Sequence, residues 1–180
     1  MRFRSIFWVL LWACLFAVVA FFIAIRSYQT FTSEELIVVA ECRSFSRGQP
    51  NQFILVLTPI VRGEKGIAQI FPMYGEQWAV GGDIFKWHPW INLIGVKNFH
   101  RLNRLSSRYE SIQKEQALPR PVYPLNGGSS LVWQWLHRHG RWIPFVEAVY
   151  GNSAYCFAEP GTRWGVYVTL SGYLVKPLRN

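Results

Sequence analysis

QWAVGGDIFKW, residues 77–87, is the stretch on which the fold turns. Its aromatic and β-branched residues read as one long strand, interrupted at Gly81 and Gly82. A glycine pair inside a strand weakens regular pairing and permits unusual dihedrals, so it marks a bulge or a bend. The sheet is expected to turn sharply here. Asp83, just past the pair, is the most suggestive carboxylate of the chain, because a bend would expose it in a cleft. The plainer alternative is an aspartate that hydrogen-bonds its own backbone turn.

On both sides of this strand lie short β-branched and aromatic runs separated by turn residues, the signature of a sheet-rich domain. Leu36–Arg43 and Gln52–Ile60 predict a hairpin around the turn at Ser46–Asn51, and Ile67–Tyr74 predicts a third strand. KWHPWINLIG, residues 86–95, then reads as a corner, since Pro89 stops regular pairing. Asn98–Tyr109 is read as a strand, with a helix carrying Leu102, Leu105 and Tyr109 on one face as the alternative. Strict alternation would set Phe99, Arg101, Asn103 and Leu105 on one side and His100, Leu102 and Arg104 on the other, splitting the basic residues. Residues 111–128, with Pro119, Pro121, Pro124, Gly127 and Gly128, predict a loop. The one helix of this region is expected near 129–139, with Ser130 as its cap, Gly140 as its end, and Leu131, Trp135 and Leu136 on one face. Phe145–Tyr150, Ser153–Ala158, Trp164–Leu170 and Tyr173–Val175 complete the strands, the last three as an antiparallel meander. The fold class is thus mostly β (α+β), an antiparallel β-rich domain at 35–180 with one helix.

Ahead of that domain, Ile6–Ile25 is an unbroken run of apolar residues. Wound as a helix it would reach about 30 Å, the thickness of a bilayer's hydrocarbon core. A cleaved signal peptide would have a shorter apolar run ending in a small-x-small site, and this run closes on Phe21-Phe22-Ile23-Ala24-Ile25-Arg26. Residues 1–26 are therefore read as tail and transmembrane anchor, with 27–34 a short polar stalk. Arg2 and Arg4 precede the span, and Arg26 alone immediately follows it. That bias predicts a cytoplasmic N-terminus and an exported C-terminal domain, periplasmic if the cell is bacterial.

Leaving out those three arginines, the 19 basic residues become 16 against 10 acidic ones, a net charge of +6 for the exported part. Such a balance suits an anionic envelope component, and the exported topology argues against nucleic acid. Of the three cysteines, Cys42 and Cys156 lie outside the span. A disulfide between them would persist in an oxidising compartment; two separately buried thiols are the alternative.

Catalytic constellations are sparse. No G-x-S-x-G elbow occurs, and Gly151-Asn152-Ser153-Ala154 only partly resembles one. The glycine pairs lack the Lys-Ser/Thr of a phosphate cradle. His137 and His139 stand two apart on the expected helix and point away from each other, so no metal site and no cofactor are expected. An enzyme would have to draw on Asp83 with His88 or His100. Seven tryptophans lie outside the span, most of them expected in the core, yet the combination of Trp with basic residues also marks interaction surfaces. The candidate surface is Lys86, Trp87, His88, Trp90, Arg101, Arg104 and Arg108.

Residues 75–110 (GEQWAVGGDIFKWHPWINLIGVKNFHRLNRLSSRYE) and 141–160 (RWIPFVEAVYGNSAYCFAEP) resemble an uncharacterised family of single-pass membrane proteins of Gammaproteobacteria, whose members often carry the label "multidrug transporter" or "cation/multidrug efflux pump". The resemblance implies a bacterial inner-membrane protein and supplies no catalytic residues. A transporter proper needs several membrane helices around its site, and one span offers no alternating-access path. The reading that follows is a non-enzymatic, membrane-anchored periplasmic domain that binds a protein partner or envelope component. The alternatives are a membrane-surface enzyme around Asp83 and His88, and an accessory subunit of an efflux system. The sequence names neither the partner nor the oligomeric state.

Overall fold

In a computed structural model describing residues 2–44, 51–127 and 130–178, with side chains from Ile6 onward, one long helix leads into two antiparallel β-sheets. Residues 46–50 of the expected first turn, and Gly128 and Ser129, lie outside the described residues.

Helix α1 spans Arg2–Phe31, and its stretch Ile6–Phe31 is long and apolar enough to cross a membrane, with none of it buried against the rest of the chain. The segment read as a stalk is therefore helical as far as Phe31. Tyr28 accepts the Thr32 N–H and hydroxyl through its carbonyl, closing the last turn.

The first sheet contains β1 (Glu35–Ser44), β2 (Gln52–Val61), β3 (Glu64–Lys65), β4 (Gln69–Tyr74), β9 (Arg163–Val168) and β10 (Tyr173–Pro177). The order β10-β9-β1-β2 places β1 in the interior, and β4 pairs with β2. The second sheet contains β5 (Gln77–Trp87), β6 (Phe99–Arg108), β7 (Val122–Pro124) and β8 (Val146–Phe157), in the order β7-β6-β5-β8. The meander expected at the C-terminus is thus divided. β9 and β10 form a hairpin in the first sheet, whereas β8 is a single twelve-residue strand paired along the whole of β5 in the second. Gly151-Asn152, which looks like a break in the sequence, is carried by that pairing.

The region 111–128 is also more ordered than a loop. Ile112–Ala117 forms the short helix α3, built from the helix-favouring run Gln-Lys-Glu-Gln-Ala, and Val122–Pro124 forms the edge strand β7, where a proline is tolerated. The corner at 86–95 contains a helical turn, α2 (Pro89–Leu93), with Pro89 in its first position. Helix α4 occupies Leu131–His139. Ser130 stands at its N-cap without a side-chain cap bond, and Gly140 keeps right-handed helical dihedrals, so the chain tightens into a 3₁₀ turn at Gly140–Trp142.

The sheets share one core. Ile37, Ala40, Cys42, Phe53, Leu55 and Met73 from the first meet Trp78, Val80, Ile84, Leu102 and Leu105 from the second. Of the seven tryptophans outside the span only Trp78 is fully buried; Trp90, Trp135 and Trp142 are exposed, contrary to the expectation that most fill the core. Polar ties also join the sheets: the Tyr74 N–H donates to the Ser107 hydroxyl (2.9 Å), Tyr123 to the Pro72 carbonyl (2.7 Å), and the Tyr173 N–H to the Asn152 side chain (2.8 Å).

The interruption expected at Gly81-Gly82 is present, with its extra residue in the partner strand. Gly81 pairs with Arg104 and Gly82 with Leu102, so Asn103 is bulged out of β6. Gly82 makes the close approach possible. A Cβ there would overlap the Arg101 carbonyl and come within 2.6 Å of the Tyr173 hydroxyl. Gly82→Ala is expected to destabilise the full chain by about 1–3 kcal/mol through overpacking. Gly151→Ala, where an added Cβ meets no neighbour within 4 Å, should be nearly neutral; thermal unfolding in detergent micelles compares the two.

Cys42 and Cys156 enter this core from β1 and β8 as free thiols. Burial, with Cys156 nearby, pushes the Cys42 thiol up to about 12, and burial pushes Cys156 up to about 11, against an ordinary value of 9.0. Because the unfolded chain loses these protons first, their contribution to stability is complete below about pH 9 and is lost as pH rises towards 12. Melting temperatures should fall across that window, and Cys42→Ala should flatten the fall.

Candidate functional site

Pairing across the second sheet fixes which side chains share a face, because residues directly opposite in an antiparallel ladder point the same way. From β5, Trp78, Val80 and Ile84 face the core, and Ala79, Gly81, Asp83 and Phe85 face outward. Without a bulge, β6 would turn either its leucines or its arginines to the wrong side. The bulge at Asn103 resets the alternation, so Leu102 and Leu105 both reach the core while Arg101, Arg104, Ser106 and Arg108 all lie on the outer face. The split of basic residues inferred from strict alternation is therefore corrected: all three arginines of this strand share one face.

This outer face forms a basin of about 470 Å³. Its floor is made of small residues, Ala79, Gly81, Ser106, Gly151 and Ser153, and the stem of Arg104 lies over Gly81. Arg104, Arg108 and Arg120 project at its rim with Asp83, Asn103 and Glu115. Glu115 partly compensates the cations, pairing with Arg120 and standing 3.9 Å from the Arg108 guanidinium. Arg108 also stacks over the Tyr155 ring at 4.5 Å, which holds its fork across the sheet. The Arg104 Nε donates to the Asn103 side chain at 3.2 Å. With three guanidinium groups against two carboxylates, the basin suits the planar oxygens of a carboxylate or phosphate.

Asp83 lies at one end of the basin and does not bond its own turn. It accepts the Asn103 amide at 2.9 Å and meets His137 Nε2 at 2.9 Å. The bulged residue and α4 are thereby fastened to the same carboxylate. His137 lies 54 residues from Asp83 in the chain, and no local pattern in the sequence connects them.

The other singled-out residues disperse. His100 pairs opposite Ile84, on the core-facing side of the sheet, and so points away from Asp83. Burial holds its imidazole below the ordinary value, and Nδ1 has no hydrogen-bond partner. His88 precedes α2, five residues along from Asp83. The grouping of Asp83 with His88 or His100 is therefore not assembled. Lys86 is engaged by Glu147 at 2.8 Å, and Arg101 donates to the Asn126 carbonyl. Trp87 packs edge-on against Phe85 at 4.8 Å, and Trp90 against Phe145 at 5.1 Å. The sequence-derived surface thus resolves into an aromatic corner at Trp87–Trp90 and an arginine basin at Arg104 and Arg108. Arg120 joins the basin from the proline-rich stretch whose composition predicts only a loop. No group of three or more His, Cys, Asp or Glu residues that could hold a metal occurs among the described residues.

No family model, curated protein or solved structure matches this chain. The class is accordingly the one its own architecture defines: a helix long and apolar enough to cross a membrane, carrying two antiparallel sheets with a cationic basin on the outer face of the second. Asp83→Ala, which leaves both Asn103 and His137 without their acceptor, is expected to cost about 1–3 kcal/mol. His137→Ala removes only the half-exposed partner and should cost less than about 1 kcal/mol; chemical denaturation of both variants checks the order.

Proposed function

We propose that this chain is a membrane-anchored, non-enzymatic binding module of a bacterial inner membrane, in which the basin holds an anionic group of a protein partner or envelope component. In this reading α1 is the anchor, its N-terminus is cytoplasmic, and the β domain is periplasmic. The observation that carries it is the alignment of Arg104 and Arg108 on one sheet face over a floor of glycine, alanine and serine. Guanidinium forks above a floor of small residues recognise carboxylate or phosphate oxygens with paired hydrogen bonds, and they need no proton transfer to do so.

The arrangement around Asp83 supports binding over catalysis. Asp83 and His137 form a pair, yet no hydroxyl among the described residues hydrogen-bonds to that ring. Acyl-transfer chemistry would require a nucleophile in contact with the base. Ser106 and Ser153 instead sit on the basin floor, placed to donate to a bound anion.

Titration of the full chain, held in nanodiscs of neutral lipid, with a hexaglutamate peptide and with pyrophosphate tests the reading. At least one probe should bind, with affinity falling as salt rises. Combining Arg104→Ala with Arg108→Ala should weaken binding about tenfold or more, since each charge-assisted hydrogen bond contributes about 1.5–3 kcal/mol. Binding of neither probe, or equal binding by the variant, would overturn the assignment of the basin.

A further inference from the structure

We propose that the aromatic corner between β5 and β6, together with Trp142 and Phe145, rests in the headgroup–acyl boundary of the leaflet that α1 enters. This rests on the reading of α1 as a membrane anchor and is independent of the basin's ligand.

The height of the corner is set by the helix. Arg26 closes the apolar run Ile6–Ile25, so its guanidinium marks where the chain leaves the hydrocarbon. Gly95, at the end of the corner, lies directly against that group. A Cβ on Gly95 would stand 3.0 Å from the Arg26 guanidinium nitrogen, and α2 packs beside α1. The corner therefore sits level with the last apolar turn of α1, whereas β5 begins at the far end of the domain and descends to this point.

At that level the surface is apolar and uncovered. Ile94 is 70% exposed, Trp142 75% and Phe145 58%, with Trp90 and Val96 also exposed beside them. Trp90 and Phe145 meet edge to face at 5.1 Å, which makes one continuous aromatic lip from α2 and the start of β8. Phe145 is held there against its own preference: its φ of 68° is left-handed, a region a bulky side chain avoids, and the His88 N–H fixes its carbonyl at 2.8 Å. Burial in a core cannot be the reason for that conformation, since the ring is mostly in the open. Arg26 and Lys97 line a cleft behind the lip, where Lys97 pairs with Glu35 at 2.7 Å, and Arg141 stacks on Trp142 at 5.6 Å. Tryptophan at the boundary with arginine, here Arg26 and Arg141, at phosphate height is the arrangement a bilayer surface selects.

The test places an environment-sensitive fluorophore on single cysteines of the full chain, reconstituted in nanodiscs of phosphatidylcholine and phosphatidylglycerol containing a lipid-borne quencher. Cys14, within α1, reports the anchor. In a Cys14→Ser background, Ile94→Cys and Trp142→Cys report the lip, and Ile112→Cys, exposed at the opposite end of the domain, reports water. Buried Cys42 and half-buried Cys156, with their thiols held neutral, label slowly. Labels at 14, 94 and 142 should lose most of their emission while the label at 112 keeps it. Quenching at 14 with labels at 94 and 142 behaving like 112 would overturn the inference and leave the anchor standing. Absence of quenching at 14 would overturn the anchor, and the inference with it.

Discussion

The close contact of Gly82 with β6 is the constraint on which the second sheet depends. Only a residue without a side chain lets the Arg101 carbonyl, the Leu102 backbone and the Tyr173 hydroxyl approach β5 together. The bulge at Asn103 forms opposite this gap, and its consequence is a change of phase. Residues on either side of Asn103 would otherwise compete for the two faces, and a strand that must bury Leu102 and Leu105 would then bury an arginine as well. An unpaired guanidinium in that core would cost far more than the lost ladder bond. The bulge removes the conflict, and the arginine face follows from it.

Tyr173 connects this local event to the rest of the domain. Its hydroxyl donates to the Asp83 carbonyl at 3.3 Å and its backbone N–H reaches Asn152, so one residue of the first sheet grips two neighbouring strands of the second beside the bulge. On the other face, the Asp83 carboxylate ties Asn103 to His137. The same short segment is thus held from the core side and from the solvent side. β5 then runs without interruption from the basin to the corner at Trp87–Leu93, so two surfaces of opposite character, cationic and aromatic, stand on one rigid strand.

Much of the architecture was legible in the residues. The apolar run at 6–25, the long strand at 77–87, its interruption at Gly81-Gly82, the corner at Pro89 and the helix near 129–139 each have a local cause, in hydrophobic length, glycine or proline geometry, or helical spacing. The elements misread are those whose state depends on a distant partner. β8 passes through Gly151-Asn152 because β5 supports it along its length, and Val122–Pro124 becomes a strand because β6 offers an edge. Trp90, Trp135 and Trp142 share the composition of core residues and lie outside it, since composition says nothing about which surfaces remain uncovered.

By itself, then, the sequence determined an apolar helix followed by an antiparallel β-rich domain of basic character, because hydrophobic length, strand propensity and charge are properties of the chain read locally. Only the tertiary structure decided that Arg101, Arg104 and Arg108 share a face, that Asp83 meets His137 in place of His88 or His100, and that Gly95 lies against Arg26. A one-residue bulge reverses every side chain beyond it, and a contact across dozens of residues exists only once the sheets have packed.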